Sequence, residues 1–95
     1  MRILWSPEAL EDLTDIRAYV SQDDPAAATH LVKRIVSLVA KQLPANPMSG
    51  RPGRVQGTRE LVIARTPFVA PYRVSSDRIE ILRVYHAARL WPERF

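Results

Sequence analysis

Two stretches in the first half of the chain carry apolar residues at every third or fourth position, the spacing of a helix face. Ser6-Pro7-Glu8 is typical of a helix start, because Ser caps free backbone N–H groups and Pro fits the first helical position. Asp23-Asp24-Pro25 repeats this signal, and the second helix is expected to stop at Pro44. The apolar positions are Ala9, Leu13, Ile16 and Val20, then Ala28, Leu31, Val32, Ile35, Leu38, Val39 and Leu43.

The short link between these stretches predicts an antiparallel helical hairpin with a shared apolar face. Three acidic residues of the first helix fall off that stripe and are expected to face solvent: Glu11, Asp12 and Asp15. Residues 44–58 hold three Pro and all three Gly, so we expect a loop that exposes Arg51 and Arg54.

The second half changes to the pattern of strands. Strands are predicted over residues 60–65, 68–74 and 79–86, with turns at Thr66-Pro67 and Ser75-Ser76-Asp77, and residues 1–5 form a further short strand. The last strand is expected to alternate regularly from Ile79 to His86. Pro71 cannot donate to a neighbouring strand, so its strand has either an unpaired edge or a bulge at that point.

The predicted fold is α+β, with the order β-α-α-β-β-β. The helical hairpin covers one face of a small, mainly antiparallel sheet, and a short tail follows His86. Residues 1–95 are expected to form a single domain, since 95 residues leave room for one.

Composition excludes several kinds of site. The chain has no cysteine, so it has no disulfide or thiolate metal site, and its two histidines lie far apart in sequence. We therefore expect no metal and no cofactor. No signal peptide is recognised, and no apolar run reaches the ~20 residues that a membrane span needs. The expected location is the cytoplasm, with no membrane contact.

Charge is distributed unevenly along the chain. The net charge is +4, but residues 1–50 sum to −1, whereas residues 51–95 carry nine arginines against four acidic residues and sum to +5. A GC-rich genome would explain the preference for Arg over Lys, but not its concentration in one half. The arginine-rich second half is therefore the expected contact surface for a target.

Strand ends and the tail hold the candidate residues, which are Arg59, Arg65, Arg73, Arg83, Arg89, Tyr72, Tyr85, His86 and Trp91. Such a set fits two tasks. Arginines stabilise a strained RNA phosphate while His86, Tyr85 or Arg73 assists catalysis, or arginines and aromatics dock on an acidic protein surface.

Structural explanations for these residues stay open. His86 is either a general acid–base or a strand-end histidine bound to backbone or to Glu60. Arg59 and Arg83 bind a target or form salt bridges with Glu60 or Glu80. Trp91 and Phe95 anchor a target or pack the tail on the domain.

The whole chain resembles the RelE/ParE superfamily of bacterial type II toxin–antitoxin toxins. The resemblance rests on the order of many short signals, which are Trp5-Ser6-Pro7-Glu8-Ala9, Asp12-Leu13, Asn46-Pro47, Gly50-Arg51, Gly57-Thr58-Arg59-Glu60-Leu61, Pro67-Phe68-Val69, Tyr72-Arg73-Val74 and Ile81-Leu82-Arg83-Val84-Tyr85-His86-Ala87-Ala88-Arg89. It implies a cognate antitoxin and a hetero-oligomer of toxin with antitoxin.

The resemblance also implies one of two targets. The RelE-like branch is a ribosome-dependent mRNA endoribonuclease, whereas the ParE-like branch inhibits DNA gyrase. The nuclease branch has an Arg early in the strand that here begins at Phe68, but this chain has Val69 there, and the nearest cation is Arg73. His86 keeps the position of a catalytic His. The missing Arg favours gyrase inhibition by docking over RNA cleavage, with an inactive toxin fold as a third alternative.

Overall fold

The computed structural model describes all 95 residues. Its elements follow in the order β1 (Arg2–Trp5), α1 (Pro7–Ser21), α2 (Pro25–Ala45), β2 (Arg51–Pro52), β3 (Arg59–Val62), β4 (Phe68–Val74), β5 (Arg78–Ile81) and β6 (Tyr85–His86). The predicted β-α-α-β-β-β framework and the α+β class are confirmed. Two short strands are added, one inside the predicted loop and one from the division of the last predicted strand. No helix has the length and apolar character to cross a membrane.

Both helices begin at the predicted caps. The Ser6 hydroxyl accepts a hydrogen bond from the backbone N–H of Ala9 at 2.9 Å, and the Asp24 carboxylate accepts one from Ala27 at 3.0 Å. These bonds satisfy N–H groups that a helix leaves free at its first turn. The second helix ends at Ala45, so Pro44 lies in its last turn and the predicted end was one residue early.

The helices pack on one face of a mixed, mostly antiparallel sheet. The strand order is β1-β5-β4-β3-β2; β1 pairs with β5 in parallel, and β6 pairs with the start of β4. Twelve buried residues form the core between the helices and this face: Ala9, Leu13, Ile35, Val39, Leu43, Leu61, Ile63, Ala70, Tyr72, Ile79, Ile81 and Val84.

A bulge at Pro71 corrects the prediction of one regular strand over residues 79–86. Pairing with β4 stops at Tyr72↔Ile81 and resumes at Val69↔Tyr85, so the chain opposite β4 contains one extra residue. The Leu82 N–H donates to the carbonyl of Pro71 at 2.9 Å. The N and O atoms of one residue point toward the same neighbouring strand. The bulge therefore lies opposite the edge of β4 on which Pro71 has no N–H to donate.

The bulge also breaks the expected alternation. Ile81 and its neighbour Leu82 are both buried, and so are Val84 and Tyr85. Of the two explanations proposed for Pro71, the bulge is therefore the one that the structure shows. β6 rejoins the sheet beside β4, with Tyr85 opposite Val69. Neither residue belongs to the core under the helices, so Tyr85 and the tail that packs on it lie on the other face of the sheet.

Candidate target-binding surface

The tail after β6 folds back on Tyr85. Tyr85 is 2% exposed, and its ring meets Trp91 edge to face at 5.1 Å and Phe95 at 6.1 Å between centroids. Aromatic rings favour this edge-on geometry. Trp91 and Phe95 therefore pack against the domain, as one of the two explanations for them proposed.

Three guanidinium groups lie over this aromatic cluster. Arg54 stacks on Trp91 at 4.2 Å, and Arg83 and Arg89 stack on Tyr85 at 4.7 and 4.3 Å. A guanidinium stacked on a ring is held in place. The N–H groups of Arg83 are taken up by Asp12, and Arg54 lies 3.6 Å from the Glu60 carboxylate and donates to the Ala87 carbonyl at 3.3 Å. Arg89 is thus the one that keeps its N–H groups free for a carboxylate or phosphate. We call these six residues the arginine–aromatic surface: Arg54, Arg83, Tyr85, Arg89, Trp91 and Phe95.

Sequence reasoning missed one residue of this surface, Arg54, and one next to it in the tail, Leu90. Arg54 was expected only as an exposed loop residue, and its stacking partner Trp91 lies 37 positions later in the chain. Leu90 was not considered, yet it is 93% exposed on the tail and is the most exposed large apolar side chain of the protein. A large apolar residue directly beside Arg89 and Trp91 was the signal available for it.

A partly buried ion pair joins this surface to the helices, with the Arg83 side chain 26% exposed and that of Asp12 10% exposed. Arg83 donates to the two carboxylate oxygens of Asp12 at 2.8 and 2.9 Å, and the Val84 N–H donates to the same carboxylate at 2.9 Å. The hydrogen bond to Asp12 raises the pKa of Arg83 above its ordinary value, although burial acts the other way.

This pairing corrects two predictions. Asp12 was expected to face solvent but is 8% exposed, because its carboxylate turns toward the bulge instead of away from the helix. The salt-bridge partner of Arg83 is Asp12, and neither Glu60 nor Glu80 lies within 4 Å of it.

Glu60 holds the loop of residues 46–58 against the sheet. Its carboxylate is buried and accepts hydrogen bonds from the Arg51 side chain at 2.9 and 3.0 Å and from the Arg54 N–H at 2.8 Å. Arg59 binds the same loop through the carbonyls of Gly50 and Met48, at 2.9 and 3.1 Å. The guanidinium of Arg59 is thus engaged with backbone and forms neither of the predicted salt bridges.

His86 lies at the exposed edge of β6. Its Nδ1 accepts a hydrogen bond from the Ala88 N–H at 3.1 Å, and its ring meets Phe68 edge to face at 5.7 Å. This is the backbone-bound arrangement that was proposed as the structural explanation, with no contact to Glu60. Since Nδ1 accepts, the proton of the neutral ring is on Nε2.

The candidate catalytic residues are not brought together. His86 pairs with Phe68 at the start of β4, whereas Arg73 lies near the other end of that strand. At the rise of a β-strand, Phe68 and Arg73 are roughly 16 Å apart. Tyr85 is covered by the tail. Tyr72 is fully buried, and its hydroxyl accepts from the Gly50 N–H and donates to the Pro47 carbonyl.

Two further positions bear on a nuclease activity, Val69 in β4 and Arg65 in the turn before it. Val69, at the position where the nuclease branch has Arg, is 2% exposed, so no cation replaces it from the strand itself. Arg65 is exposed in the left-handed turn between β3 and β4, at φ 64°. That turn lies at the same end of the sheet as His86, because the Pro67 carbonyl accepts from the Ala87 N–H at 2.8 Å.

The chain belongs to the ParE toxin family: the family described as the ParE toxin of the type II toxin–antitoxin system parDE matches residues 3–91.

Two relatives match almost end to end. The Y4kP protein of Sinorhizobium fredii is 50% identical over 92 residues, covering 97% of this chain and 94% of that protein. Toxin RelE2 of Caulobacter vibrioides is 38% identical over 89 residues, covering 94% and 98%. Family membership thus rests on whole-length similarity.

Solved structures agree with this assignment. The chromosomal ParDE toxin–antitoxin system from P. aeruginosa matches with a TM-score of 0.80 and 40% identity, over 90% of this chain and 95% of that chain. The toxin–antitoxin complex RelBE2 from Mycobacterium tuberculosis matches with a TM-score of 0.65 and 22% identity over the same shares. The second similarity concerns the fold alone.

Proposed function

We propose that this toxin inhibits DNA gyrase by protein–protein docking through the arginine–aromatic surface, and that a cognate antitoxin neutralises it. The observation that carries the proposal is the separation of the candidate catalytic groups. His86, on β6, lies beside the start of β4, whereas Arg73 lies near the end of β4. Tyr85 is buried under the tail.

Docking requires fixed anchor residues on the surface and does not require catalytic groups to meet. Protein interfaces derive most of their affinity from a few aromatic and Arg anchors held in fixed positions. Arg54, Arg83 and Arg89 are fixed on aromatic rings. Asp12 already pairs with Arg83, whereas Arg89 keeps its N–H groups for a target, and the exposed Leu90 next to it in the chain adds an apolar contact. This surface is suited to a partner that presents acidic groups around an apolar patch.

The antitoxin is inferred from the family and from charge. The solved relatives are described as a ParDE system and as the RelBE2 toxin–antitoxin complex. The excess of +5 in residues 51–95 favours an acidic or amphipathic partner segment that covers the basic face in a hetero-oligomer. Ribosome-dependent RNA cleavage is the alternative activity, favoured by one observation, the exposure of His86 at the edge of β6.

Supercoiling of relaxed plasmid by purified DNA gyrase tests the proposal. Increasing amounts of the toxin should leave the plasmid relaxed. Toxin premixed with a candidate antitoxin, taken from a reading frame adjacent to the toxin gene, should have no effect. As a control, a topoisomerase that only relaxes DNA should work equally with and without the toxin. Normal supercoiling at a large molar excess of folded toxin would contradict the proposed target.

A further inference from the structure

A cleft of about 660 Å³ lies on the sheet face that the helices leave open. Its floor is a row of cross-strand neighbours in register, which are Leu4 of β1, Glu80 of β5 and Arg73 of β4. The segment Trp5–Glu8 forms one wall, and Phe95 of the tail forms another. We infer that this cleft, which we call the β1 cleft, binds an antitoxin segment by taking up a carboxylate beside an apolar side chain.

The β1 cleft has arginines without partners. Arg73 and Arg78 both line it, and no carboxylate lies within 4 Å of either guanidinium. The Nε of Arg78 is buried and has no hydrogen-bond acceptor. A buried donor without a partner is costly, so an acceptor brought by a ligand would be favoured there.

Charge around Arg78 strengthens this inference. Arg2 is its cross-strand partner on β1, and Arg73 is on the neighbouring strand. Arg83 also lines the cleft, but Asp12 already neutralises it. A carboxylate entering the cleft would therefore meet Arg73 and Arg78, neither of which forms a salt bridge with the two acids of the lining, Glu8 and Glu80.

The side chains that line the β1 cleft favour a peptide over a nucleic acid as its ligand. Leu4 and Phe95 are 38% and 39% exposed, and Trp5 and Leu82 also line the cleft, so an apolar side chain is accommodated beside the arginines. Glu8 and Glu80 line it too, and they would repel the repeated phosphates of a nucleic acid. A peptide with one or two carboxylates next to an apolar residue fits both features.

The position of the cleft points to the antitoxin as the source of that peptide, and this step rests on the proposed function. Phe95 and Arg83 line both the β1 cleft and the groove along the tail. A segment bound in the cleft would thus extend onto the arginine–aromatic surface and cover what the target needs. Neutralisation would follow from steric exclusion.

Binding of the adjacent reading frame's product to toxin variants, measured by calorimetry, tests the inference. The double variant Arg73→Gln/Arg78→Gln should lose affinity by roughly 10- to 100-fold, as expected for charge-assisted hydrogen bonds. The control Arg17→Gln/Lys41→Gln removes the same charge from exposed helix positions and should change affinity by less than about 3-fold.

A second variant gives a result that misfolding cannot imitate. Glu80→Gln removes a negative charge from the floor of the cleft and should raise the affinity by roughly 2- to 10-fold, less so at high salt. If neither cleft variant changes the affinity, the cleft is not the antitoxin site. Binding of the partner to the wild-type toxin would still support the antitoxin.

The other outcomes are also distinct. If the wild-type toxin does not bind the partner at all, the proposed function fails and the cleft assignment fails with it. A labelled single-stranded oligonucleotide serves as the competing probe. Oligonucleotide binding that disappears in Arg73→Gln/Arg78→Gln, with antitoxin affinity unchanged, would assign the cleft to nucleic acid and overturn the inference.

Discussion

Replacing Asp12 by alanine should lower the free energy of unfolding by about 2–3 kcal/mol, less than breaking a fully buried ion pair would cost, because the Arg83 side chain is 26% exposed. The Asp12 carboxylate receives both donors of Arg83 and the Val84 N–H, all within 2.9 Å. The substitution leaves these donors unpaired at the bulge. Because Asp12 is on α1 and Arg83 lies 71 residues later, the loss detaches the helical hairpin from the segment that carries the arginine–aromatic surface.

Urea unfolding followed by circular dichroism measures this effect. Asp15→Ala, an exposed acid on the same helix, is the matched control and should change stability by no more than about 0.5 kcal/mol. Replacing both partners, as Asp12→Leu/Arg83→Met, should recover part of the lost stability, because no charge is then left alone although the buried Val84 N–H still lacks its acceptor. A loss below about 1 kcal/mol for Asp12→Ala would show that the pair contributes little to the fold.

The double variant Arg89→Gln/Leu90→Ser should weaken gyrase inhibition by roughly 30-fold or more while leaving the fold intact. Loss of two interface anchors typically costs about 2 kcal/mol or more of binding free energy. Both side chains are exposed, and Arg89 is held only by its stacking on Tyr85. Their removal therefore affects docking far more than packing.

The toxin concentration that halves supercoiling is the quantity to compare. Arg17→Gln/Tyr19→Ser is the control, since it also removes one arginine and one exposed large apolar residue, here from α1, where Tyr19 is 75% exposed. It should behave like the wild-type toxin. If Arg89→Gln/Leu90→Ser inhibits as strongly as wild type, the tail is not part of the docking surface.

The helices and most strands followed from local rules. Ser6 and Asp24 cap the helices as the sequence indicates, because an N-cap depends only on residues within one turn. Pro71 was recognised as a problem for its strand, but the sequence could not choose between an edge and a bulge. That choice depends on which neighbour faces the missing N–H, which is a property of the assembled sheet.

The candidate surface was predicted less completely, for a physical reason. Pairing of Asp12 with Arg83 and stacking of Arg54 on Trp91 join residues far apart in sequence, and no local pattern specifies them. Arg59 was ranked with the target-binding arginines, yet the loop carbonyls occupy it. One surface does bring together four of the candidates, which are Arg83, Tyr85, Arg89 and Trp91. Their closeness in sequence, near the end of the chain, indicated this.

The central claim is that this protein acts by docking and not by catalysis, and His86→Ala tests it most directly. Wild-type toxin and His86→Ala are compared in two assays, supercoiling by DNA gyrase and cleavage of an mRNA on translating ribosomes. We expect both proteins to inhibit supercoiling to within about 2-fold and neither to cut the mRNA, since neither Arg73 nor Tyr85 is placed to act with His86. Ribosome-dependent cleavage by the wild type that disappears in His86→Ala would contradict it.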